Sequence, residues 1–244
     1  MDRKFQTSMQ ITPSMCDASA CLGIPNTFGL FMDIATIHAE SIGLGAKAMM
    51  RQGLFWLTVR TRIRFHRRPL MMEPVTAATW PGKPDQMRCM RYYTLAAADQ
   101  TLLAEGKTEW AVVEMKTGKL HNVAGLYPSE LELTEEAVCG EPFTRFNKDF
   151  SACPEIHAFT VRSTDIDLGG HMNNTAYIRR LADAFSTKEW ERLALREMEV
   201  NFRAPCYEGE RLSLRKRETA EGLELGLIRP EGAVVLMAKL IPGE

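Results

Sequence analysis

The 244-residue sequence lacks the features that mark several large classes of protein. Its net charge at neutral pH is only -1, from 30 basic and 31 acidic residues, so no global field attracts nucleic acid or an anionic membrane. No window reaches the roughly 18 apolar residues that a membrane-spanning helix needs, and the N-terminal stretch MDRKFQTSMQ contains no apolar core of a signal peptide. We therefore expect a cytoplasmic protein without a membrane span or a nucleic-acid partner.

The usual signatures of nucleotide, metal and serine-hydrolase chemistry are missing as well. The chain has no P-loop, no GxGxxG after a strand, no GxSxG and no HExxH, and its five histidines have no ligand spacing with one another. Its six cysteines include no CxxC pair, so we expect free thiols in a reducing compartment. The sequence therefore predicts neither a cofactor nor a metal site.

What is present is an average globular composition with an internal repeat. Hydrophobic side chains make up 45% of the sequence and charged ones 25%, so the chain must bury a core. An offset of 148 residues superimposes Asp17 on Asp165 and Asn26 on Asn174. The order of patterns that follows is the same in both copies.

Each copy contains the pattern of one helix and several strands. Apolar residues at i, i+3 and i+4 predict one long helix per half, near residues 26–42 and 174–190, each starting at an asparagine cap. The segments from Phe55 and from Leu195 then alternate between polar and apolar side chains, which is typical of a strand with one buried face. Further strand-like runs close the halves: MRCMRYYTLAA and TLLAEGKTEWAVVEM in the first, LELGLI and AVVLMAKLI in the second.

A helix followed by antiparallel strands favours a sheet wrapped around that helix, and the fold class is therefore α+β. We place the N-terminal half at residues 1–123 and the C-terminal half at 152–244. The linker at 124–151 contains Tyr-Pro-Ser and Gly-Glu-Pro runs that break the pattern. Two such halves form a pseudo-dimer, and a homodimer of the whole chain is an open alternative.

Polar functional groups are densest just before the second predicted helix, in the run TDIDLGGHMNN. This run contains Asp165, Asp167, His171, Asn173 and Asn174. A helix N-terminus offers N–H groups and a partial positive charge, which suit the oxyanion of an acyl-transfer reaction. A carboxylate beside it can activate water or attack the carbonyl, and a neighbouring histidine or asparagine can orient that group.

The members of this run do not all favour the same role. The side chains of Asp165 and Asn174 fit a turn and a helix cap. Asp167 and His171 favour chemistry instead, because at the 148-residue offset the first copy builds the same loop with neither an aspartate nor a histidine at these positions.

The run TDIDLGGHMNNTAYI resembles the S-D-x-D-x-N-x-H-V-N-N-x-x-Y-I signature of the acyl-ACP thioesterases of plants and bacteria. In the first half, WLTVRTRIRFHRRP, VTAATWPG and KTEWAVVEMKTGK are similar to strands of the same family. The resemblance covers most of the chain. It implies a double hotdog fold that hydrolyses the thioester between a fatty acyl group and the phosphopantetheine of acyl carrier protein, without a cofactor. Acyl-CoA is the other candidate substrate.

The resemblance also assigns site residues. It implies that Asp167 is the base or nucleophile, that His171 orients it, and that N–H groups near Asn173 and Asn174 form the oxyanion site. A cysteine of the family corresponds to Cys206, so a cysteine nucleophile stays open as an alternative to the aspartate.

Two positions depart from the family pattern. Gly169 stands where the family has an asparagine, and Pro205 stands where it has a catalytic glutamate. These losses favour a second hypothesis, a non-catalytic acyl-thioester-binding protein that acts as a sensor or scaffold. The retention of Asp167 and His171 favours the enzyme.

Substrate-binding residues are expected in the first half. The candidates for lining the acyl chain, or for plain core packing, are Phe31, Met32 and Trp56. The candidates for docking an acidic carrier protein, or for a solvated sheet face, are the alternating Arg60, Arg62 and Arg64.

Overall fold

The computed structural model describes residues 3–243, whose contacts group into two compact units. The first unit comprises the chain up to Gly23 together with Gly29–Glu141. The second comprises Ile24–Phe28 together with the residues from Pro142 onward.

The first unit is an antiparallel sheet with one long helix. Its elements are β1 (Phe5–Gln10), α1 (Ile24–Ser41, whose first turn groups with the second unit), α2 (Ala46–Arg51), β2 (Leu54–Phe65), β3 (Pro74–Pro81), β4 (Cys89–Ala97), β5 (Leu102–Glu114) and the short β6 (Leu120–His121). The strand order is β1-β3-β4-β5-β2, and β6 pairs with β5.

Alternation along the strands explains which side of this sheet packs on α1. Along β4 every second residue from Cys89 to Ala97 is buried, which is the two-residue period of a strand. The ring of Tyr93 in β4 stacks on that of Phe31 in α1, with centroids 4.8 Å apart. Gly106 in β5 permits this approach, because a Cβ atom at that position would lie 3.0 Å from the Phe31 ring.

The second unit repeats this architecture. Its elements are β7 (Glu155–Thr160), α3 (Asn174–Ala182), α4 (Thr187–Leu193), β8 (Leu195–Phe202), β9 (Arg211–Thr219), β10 (Gly222–Ile228) and β11 (Val234–Pro242). The strand order is β7-β9-β10-β11-β8, which is the order of the first unit when the strands are counted from the start of each unit. The predicted repeat and the α+β class are therefore confirmed.

The register of the repeat is 150 residues, and the predicted offset of 148 was wrong. Strand β1 begins at Phe5 and β7 at Glu155, while the short 3₁₀ turns that follow begin at Pro13 and Ser163. The asparagine match that favoured 148 is coincidental, because Asn26 is an exposed residue inside α1.

The helices also depart from the prediction in two ways. Helix α1 begins after Gly23 without a side-chain cap, so its predicted asparagine cap was wrong. The long second helix predicted over 174–190 was wrong as well, because α3 ends at Ala182 and a new helix starts after Ser186. The Ser186 hydroxyl and the Glu189 carboxylate form a reciprocal capping box that starts α4 separately.

Short stretches of two strands, residues 61–63 of β2 and 197–200 of β8, are buried on both faces, where the alternation predicted one exposed face. On β8 Glu197 and Glu199 are 6% and 1% exposed, and on β2 Arg62 is 4% exposed. The Glu199 carboxylate accepts a hydrogen bond from the N–H of Thr144, at 2.7 Å. Burial of these charged groups is therefore accompanied by polar contacts within the chain.

Between β6 and β7 the chain is irregular except for a 3₁₀ turn at Ala124–Leu126. Within residues 3–243, no helix has the length and apolar character required to cross a bilayer, and the cysteines form no disulfide bond.

The close contact between α1 and β5 gives a stability prediction. Gly106→Ala would place a methyl group 2.9 Å from the Arg62 carbonyl oxygen and 3.0 Å from the Phe31 ring. We expect the free energy of unfolding, measured by urea titration, to fall by about 1–3 kcal/mol because backbone and packed aromatic atoms must shift. Gly125→Ala is the control, since nothing lies within 4 Å of its Cβ position. Equal stability of the two variants would contradict the proposed packing constraint.

Candidate active site

The loop between β7 and α3 is held by backbone hydrogen bonds across its base. The N–H of Asn173 donates to the carbonyl of Asp165 at 2.8 Å, and the N–H of Asp167 donates to the carbonyl of His171 at 3.1 Å. Gly170 near the loop tip has φ +76°, a left-handed conformation that favours glycine. The loop is therefore a narrow hairpin that ends at the first turn of α3.

The carboxylate of Asp165 ties this loop to α3. It is 4% exposed, accepts a hydrogen bond from the N–H of Arg162 at 2.9 Å, and receives two bonds from Nη2 of Arg180 at 2.9 and 3.1 Å. Burial by itself raises the pKa of Asp165, but the bonds from Arg180 and Arg162 outweigh burial, so the pKa lies below its ordinary value. Asp165 therefore has the turn role that was expected of it.

Asp167 and His171 lie together at the end of the hairpin. The Asp167 Oδ1 atom accepts a hydrogen bond from the N–H of Gly169 at 2.8 Å and lies 3.8 Å from Nδ1 of His171. Each of the two side chains is 25% exposed. The structure thus brings together the carboxylate and imidazole that the sequence singled out, in a position that solvent can reach.

The asparagines after His171 start the helix. Asn173 is the N-cap of α3, and its side-chain oxygen accepts a hydrogen bond from the N–H of Thr175 at 2.8 Å. The cap prediction therefore applies to Asn173, while Asn174 is the first helical residue. The backbone N–H of Asn173 is already bonded to the Asp165 carbonyl and that of Thr175 to the Asn173 side chain, so neither is available to an oxyanion, whereas the dipole of α3 is.

Cys206 is close to the loop in the backbone but is a poor candidate nucleophile. Its carbonyl accepts a hydrogen bond from the N–H of Met172 at 2.7 Å, while its side chain is fully buried. Burial raises the pKa of the thiol, and the opposing effects of Tyr177 and Arg229 do not cancel that rise. A protonated thiol is a weak nucleophile at neutral pH. Cys206 lies outside the strands, since β8 ends at Phe202 and β9 begins at Arg211.

The first unit contains the same hairpin, but its aspartate has different bonding partners. At the 150-residue offset Asp17 corresponds to Asp167, and its carboxylate accepts bonds from the N–H and hydroxyl of Ser19 at 3.0 and 2.6 Å. It also forms an ion pair with Arg68, whose Nη2 bonds the Ser19 hydroxyl at 2.7 Å. The argument that the first copy lacks this aspartate was therefore wrong.

The two loops differ in what surrounds the aspartate. Ser19 corresponds to Gly169 and Cys21 to His171. The Asp17 carboxylate is bound by a guanidinium and a hydroxyl, whereas Asp167 has one backbone N–H and an imidazole beside it. Within residues 3–243, the Asp17 carboxylate therefore has a guanidinium partner and the Asp167 carboxylate has none.

The arginines proposed for docking already have acidic partners. Arg60 forms a bidentate pair with Glu109, with bonds of 2.9 and 2.7 Å, and Arg64 lies 3.0 Å from Glu141 and 3.4 Å from Glu105. The buried Arg62 donates to the Glu141 carbonyl at 3.1 Å. The strand therefore does not present a stripe of uncompensated positive charge.

The residues proposed to line the acyl chain lie in the first unit at separate places. Phe31 is fully buried against Tyr93, and Met32 is half-buried on the same helix. Trp56 donates its indole N–H to the Leu44 carbonyl at 2.9 Å and belongs to a different apolar cluster. Phe31 is thus a core residue of this unit, while Trp56 is a partly buried side chain packed against the other cluster.

A pocket of about 350 Å³ lies in the second unit, beside the anchored end of the loop. Its lining residues are Pro25, Thr164, Asp165, Arg179, Arg180, Ala182 and Asp183. Asp167 and His171 are not among them. Throughout residues 3–243, no cluster of three or more His, Cys, Asp and Glu side chains has the geometry of a metal site.

Two tandem units of the same sheet-and-helix architecture, with a carboxylate and an imidazole before the second helix, define a double hotdog protein. The family models of the acyl-ACP thioesterase N-terminal and C-terminal domains match residues 2–130 and 150–237. The chain belongs to the acyl-ACP thioesterase family.

Curated relatives and solved structures agree with this assignment. The chain is 21% identical over 213 residues to a chloroplastic acyl-carrier-protein hydrolase of Cuphea viscosissima. The alignment covers 83% of this chain and 52% of that protein. The chain is also 20% identical over 242 residues to a chloroplastic palmitoyl-acyl carrier protein thioesterase of Arabidopsis thaliana. This alignment covers 94% of this chain and 58% of that protein. The chain spans about half the length of the curated relatives it matches.

Two solved structures share the fold over nearly their whole length. An acyl-ACP thioesterase from Bacteroides thetaiotaomicron superimposes with a TM-score of 0.87 at 20% identity, covering 98% of this chain and 97% of that one. The 12:0-ACP thioesterase from Umbellularia californica gives a TM-score of 0.83 at 16% identity, covering 100% and 99%.

The Asp165–Arg180 pair predicts a pH-dependent contribution to stability. Because the folded-state pKa of Asp165 is lowered, its contribution is present above the ordinary carboxyl pKa of about 3.9 and is lost as the pH falls through the folded value. We expect Asp165→Asn to lower the free energy of unfolding by about 3 kcal/mol at pH 7, since it leaves a partly buried guanidinium without its carboxylate. The difference from wild type should shrink below about pH 3.9.

Urea titrations at pH 7 and at steps into the acid range measure this difference. Asp183→Asn is the matched control, because Asp183 contacts the same arginine at 3.4 Å but its side chain is 51% exposed. Its effect should stay below about 1 kcal/mol. A constant Asp165→Asn difference at all pH values would contradict the ionic role.

Proposed function

We propose that this protein hydrolyses fatty acyl thioesters of acyl carrier protein and releases the free fatty acid. The observation that carries the proposal is the accessible Asp167 carboxylate, 3.8 Å from His171, in the loop that leads to the first turn of α3. Its membership of the acyl-ACP thioesterase family supports this chemistry. Acyl-CoA is the second candidate substrate, because it carries the same phosphopantetheine thioester.

The geometry supports one carboxylate that acts on the thioester carbonyl. Asp167 either removes a proton from the attacking water or attacks the carbonyl itself, forming an anhydride that water then cleaves. In both routes the C–S bond breaks, the pantetheine sulfur leaves and takes up a proton, and the carbonyl carbon gains the hydroxyl of water. His171 holds the carboxylate in position, and the N-terminus of α3 near Asn173 and Asn174 stabilises the oxyanion.

The first unit, in this proposal, holds the acyl chain, with Phe31, Met32 and Trp56 as candidate contacts. The paired arginines at 60, 62 and 64 are a weaker proposal for binding the carrier, because Glu105, Glu109 and Glu141 compensate their charges. We place the protein in the cytoplasm, where a reducing environment keeps cysteines as thiols.

Release of free thiol from purified protein and a panel of acyl-ACP and acyl-CoA thioesters tests the activity. We expect turnover with chelator present, since the proposed step uses only a carboxylate, an imidazole and water. Tight binding of acyl thioesters with no turnover above background, at every chain length and with both carriers, would favour the sensor or scaffold hypothesis instead.

Variants at Asp167 and Cys206 test which side chain carries the reaction. Asp167→Asn keeps the shape of the side chain but removes its basicity, and we expect kcat to fall by about 10² to 10⁴. Cys206→Ala should retain activity within a few fold, because the buried thiol is protonated. Circular dichroism checks that both variants fold. A dead Cys206→Ala enzyme beside a fully active Asp167→Asn enzyme would show that the cysteine is the nucleophile.

A further inference from the structure

The peptide unit between His171 and Met172 is hydrogen-bonded at both ends. Its carbonyl accepts the N–H of Asp167 at 3.1 Å, and its N–H donates to the carbonyl of Cys206 at 2.7 Å. Cys206 lies outside the loop, in the connection between β8 and β9. Because a peptide unit is planar, these two bonds together fix the backbone from which the His171 side chain projects.

The peptide unit after Cys206 continues this row of bonds to an ion pair. Its carbonyl is the one that binds the loop, and its N–H, that of Tyr207, donates to Oε1 of Glu210 at 3.2 Å. Arg229, which directly follows β10, binds the Glu210 carboxylate through Nε at 2.8 Å and donates through Nη2 to the Pro205 carbonyl at 2.6 Å. Arg229 therefore restrains the peptide units on both sides of Cys206, one directly and the other through Glu210.

The first unit contains the same row of bonds at the 150-residue offset. The N–H of Leu22 donates to the Pro69 carbonyl at 2.8 Å. The N–H of the following residue of that connection, Leu70, donates to Oε2 of Glu73 at 2.8 Å. The Glu73 carboxylate again binds a guanidinium, that of Arg67, at 2.8 and 2.6 Å. In both units a planar peptide unit thus joins the hairpin to a glutamate that an arginine holds.

The two arginines come from different parts of the chain. Arg67 belongs to the connection between β2 and β3, whereas the equivalent position of the second unit is the uncharged Ala204. The guanidinium of that unit comes instead from Arg229, beyond β10. The same arrangement is thus built from non-equivalent residues, so strand alignment alone does not account for it. The side chain that the row of bonds positions also differs, since Cys21 of the first unit corresponds to His171 of the second.

We propose that Arg229 is a positioning residue for His171 and acts through Glu210 and the backbone of Cys206. This inference rests on the proposed thioesterase function, in which His171 holds the Asp167 carboxylate. Without the guanidinium, the Glu210 carboxylate is no longer fixed and the Cys206 carbonyl can rotate away from the loop. The His171 ring then loses its defined distance from Asp167. Because Arg229 acts through the backbone, the effect is expected in turnover rather than in substrate binding.

Replacement of Arg229 tests this role against a matched control. Arg229→Met keeps the length of the side chain without its charge or donors. We expect kcat for one acyl thioester to fall about 10- to 100-fold, with KM within a few fold, because misplacing a reacting group by about 1 Å has effects of this size. Arg229→Lys, which keeps a charge and a donor, should recover part of the loss. An unchanged kcat in Arg229→Met would overturn the inference.

Arg217→Met is the control for the loss of an ion pair. The Arg217 side chain is 23% exposed against 22% for Arg229, and it pairs with Glu224 in the same unit. We expect this variant to retain the kcat of the wild-type protein. A loss of kcat as large as that of Arg229→Met would overturn the inference, because any lost ion pair would then suffice.

A double-mutant cycle separates positioning from general loss of structure. If Arg229 acts through His171, Arg229→Met should change kcat by less than about twofold once His171→Gln is already in place. The same loss in both backgrounds would show that Arg229 supports structure alone and would overturn the inference. Glu210→Ala removes the other partner of the ion pair, and it should repeat both results if Arg229→Met does not fold.

A spectroscopic measurement separates this inference from the proposed function. The chain has five histidines, and His171→Gln identifies the ring signal of this residue in the NMR spectrum of isotope-labelled protein. We expect that signal to move in Arg229→Met and to stay in place in Arg217→Met, whether or not a thioester is hydrolysed. Absence of hydrolysis by the wild-type protein would contradict the proposed function alone. An unmoved His171 signal in folded Arg229→Met, or in Glu210→Ala, would overturn the positioning role.

Discussion

The site depends on one buried ion pair, between Asp165 and Arg180. The Asp165 carboxylate binds the turn before it and the guanidinium of α3, while its carbonyl accepts the N–H of Asn173. These contacts fix the base of the hairpin to the helix that follows. The ends of the loop are therefore held, and the pair Asp167 and His171 is presented at a defined place before the helix N-terminus. Breaking a buried pair leaves an unpaired charge, so the anchoring is strongly coupled to stability.

The repeat places the same aspartate in two different surroundings. Both hairpins place an aspartate at the same position, with an acceptor bond to the N–H two residues later. In the first hairpin, Arg68 forms an ion pair with the Asp17 carboxylate and the Ser19 hydroxyl donates a hydrogen bond to it. In the second, a glycine replaces the serine, and His171 is the neighbouring side chain. Gly169 departs from the asparagine of the family signature, and it also lacks the hydroxyl with which Ser19 binds the aspartate in the other copy.

Sequence patterns predicted the fold class, the repeat and the pairing of Asp167 with His171, because apolar periodicity and loop position are local properties. Partners that depend on strand register were not predictable: the acids opposite Arg60 and Arg64 lie on β5, more than forty residues away. The sequence did contain a signal for the break after α3, because Ser186 precedes a glutamate by three residues, which is the spacing of a capping box at the start of a new helix. The burial of Arg91 on β4 could also have been predicted, because this residue shares the alternating register of an otherwise apolar strand. No sequence pattern signalled the Asp165–Arg180 pair, because it forms only once the turn and α3 are packed together.

The central claim is that the two equivalent aspartates have different roles because of their surroundings. The most direct test measures hydrolysis of one acyl thioester by Asp17→Asn and Asp167→Asn side by side, with the folded fraction of each checked by thermal unfolding. The account predicts that Asp17→Asn retains kcat within a few fold and loses only stability, because its carboxylate is an ion-pair partner of Arg68. Asp167→Asn should lose nearly all turnover while remaining folded. Equal loss of kcat in the two variants, or full activity in Asp167→Asn, would contradict it.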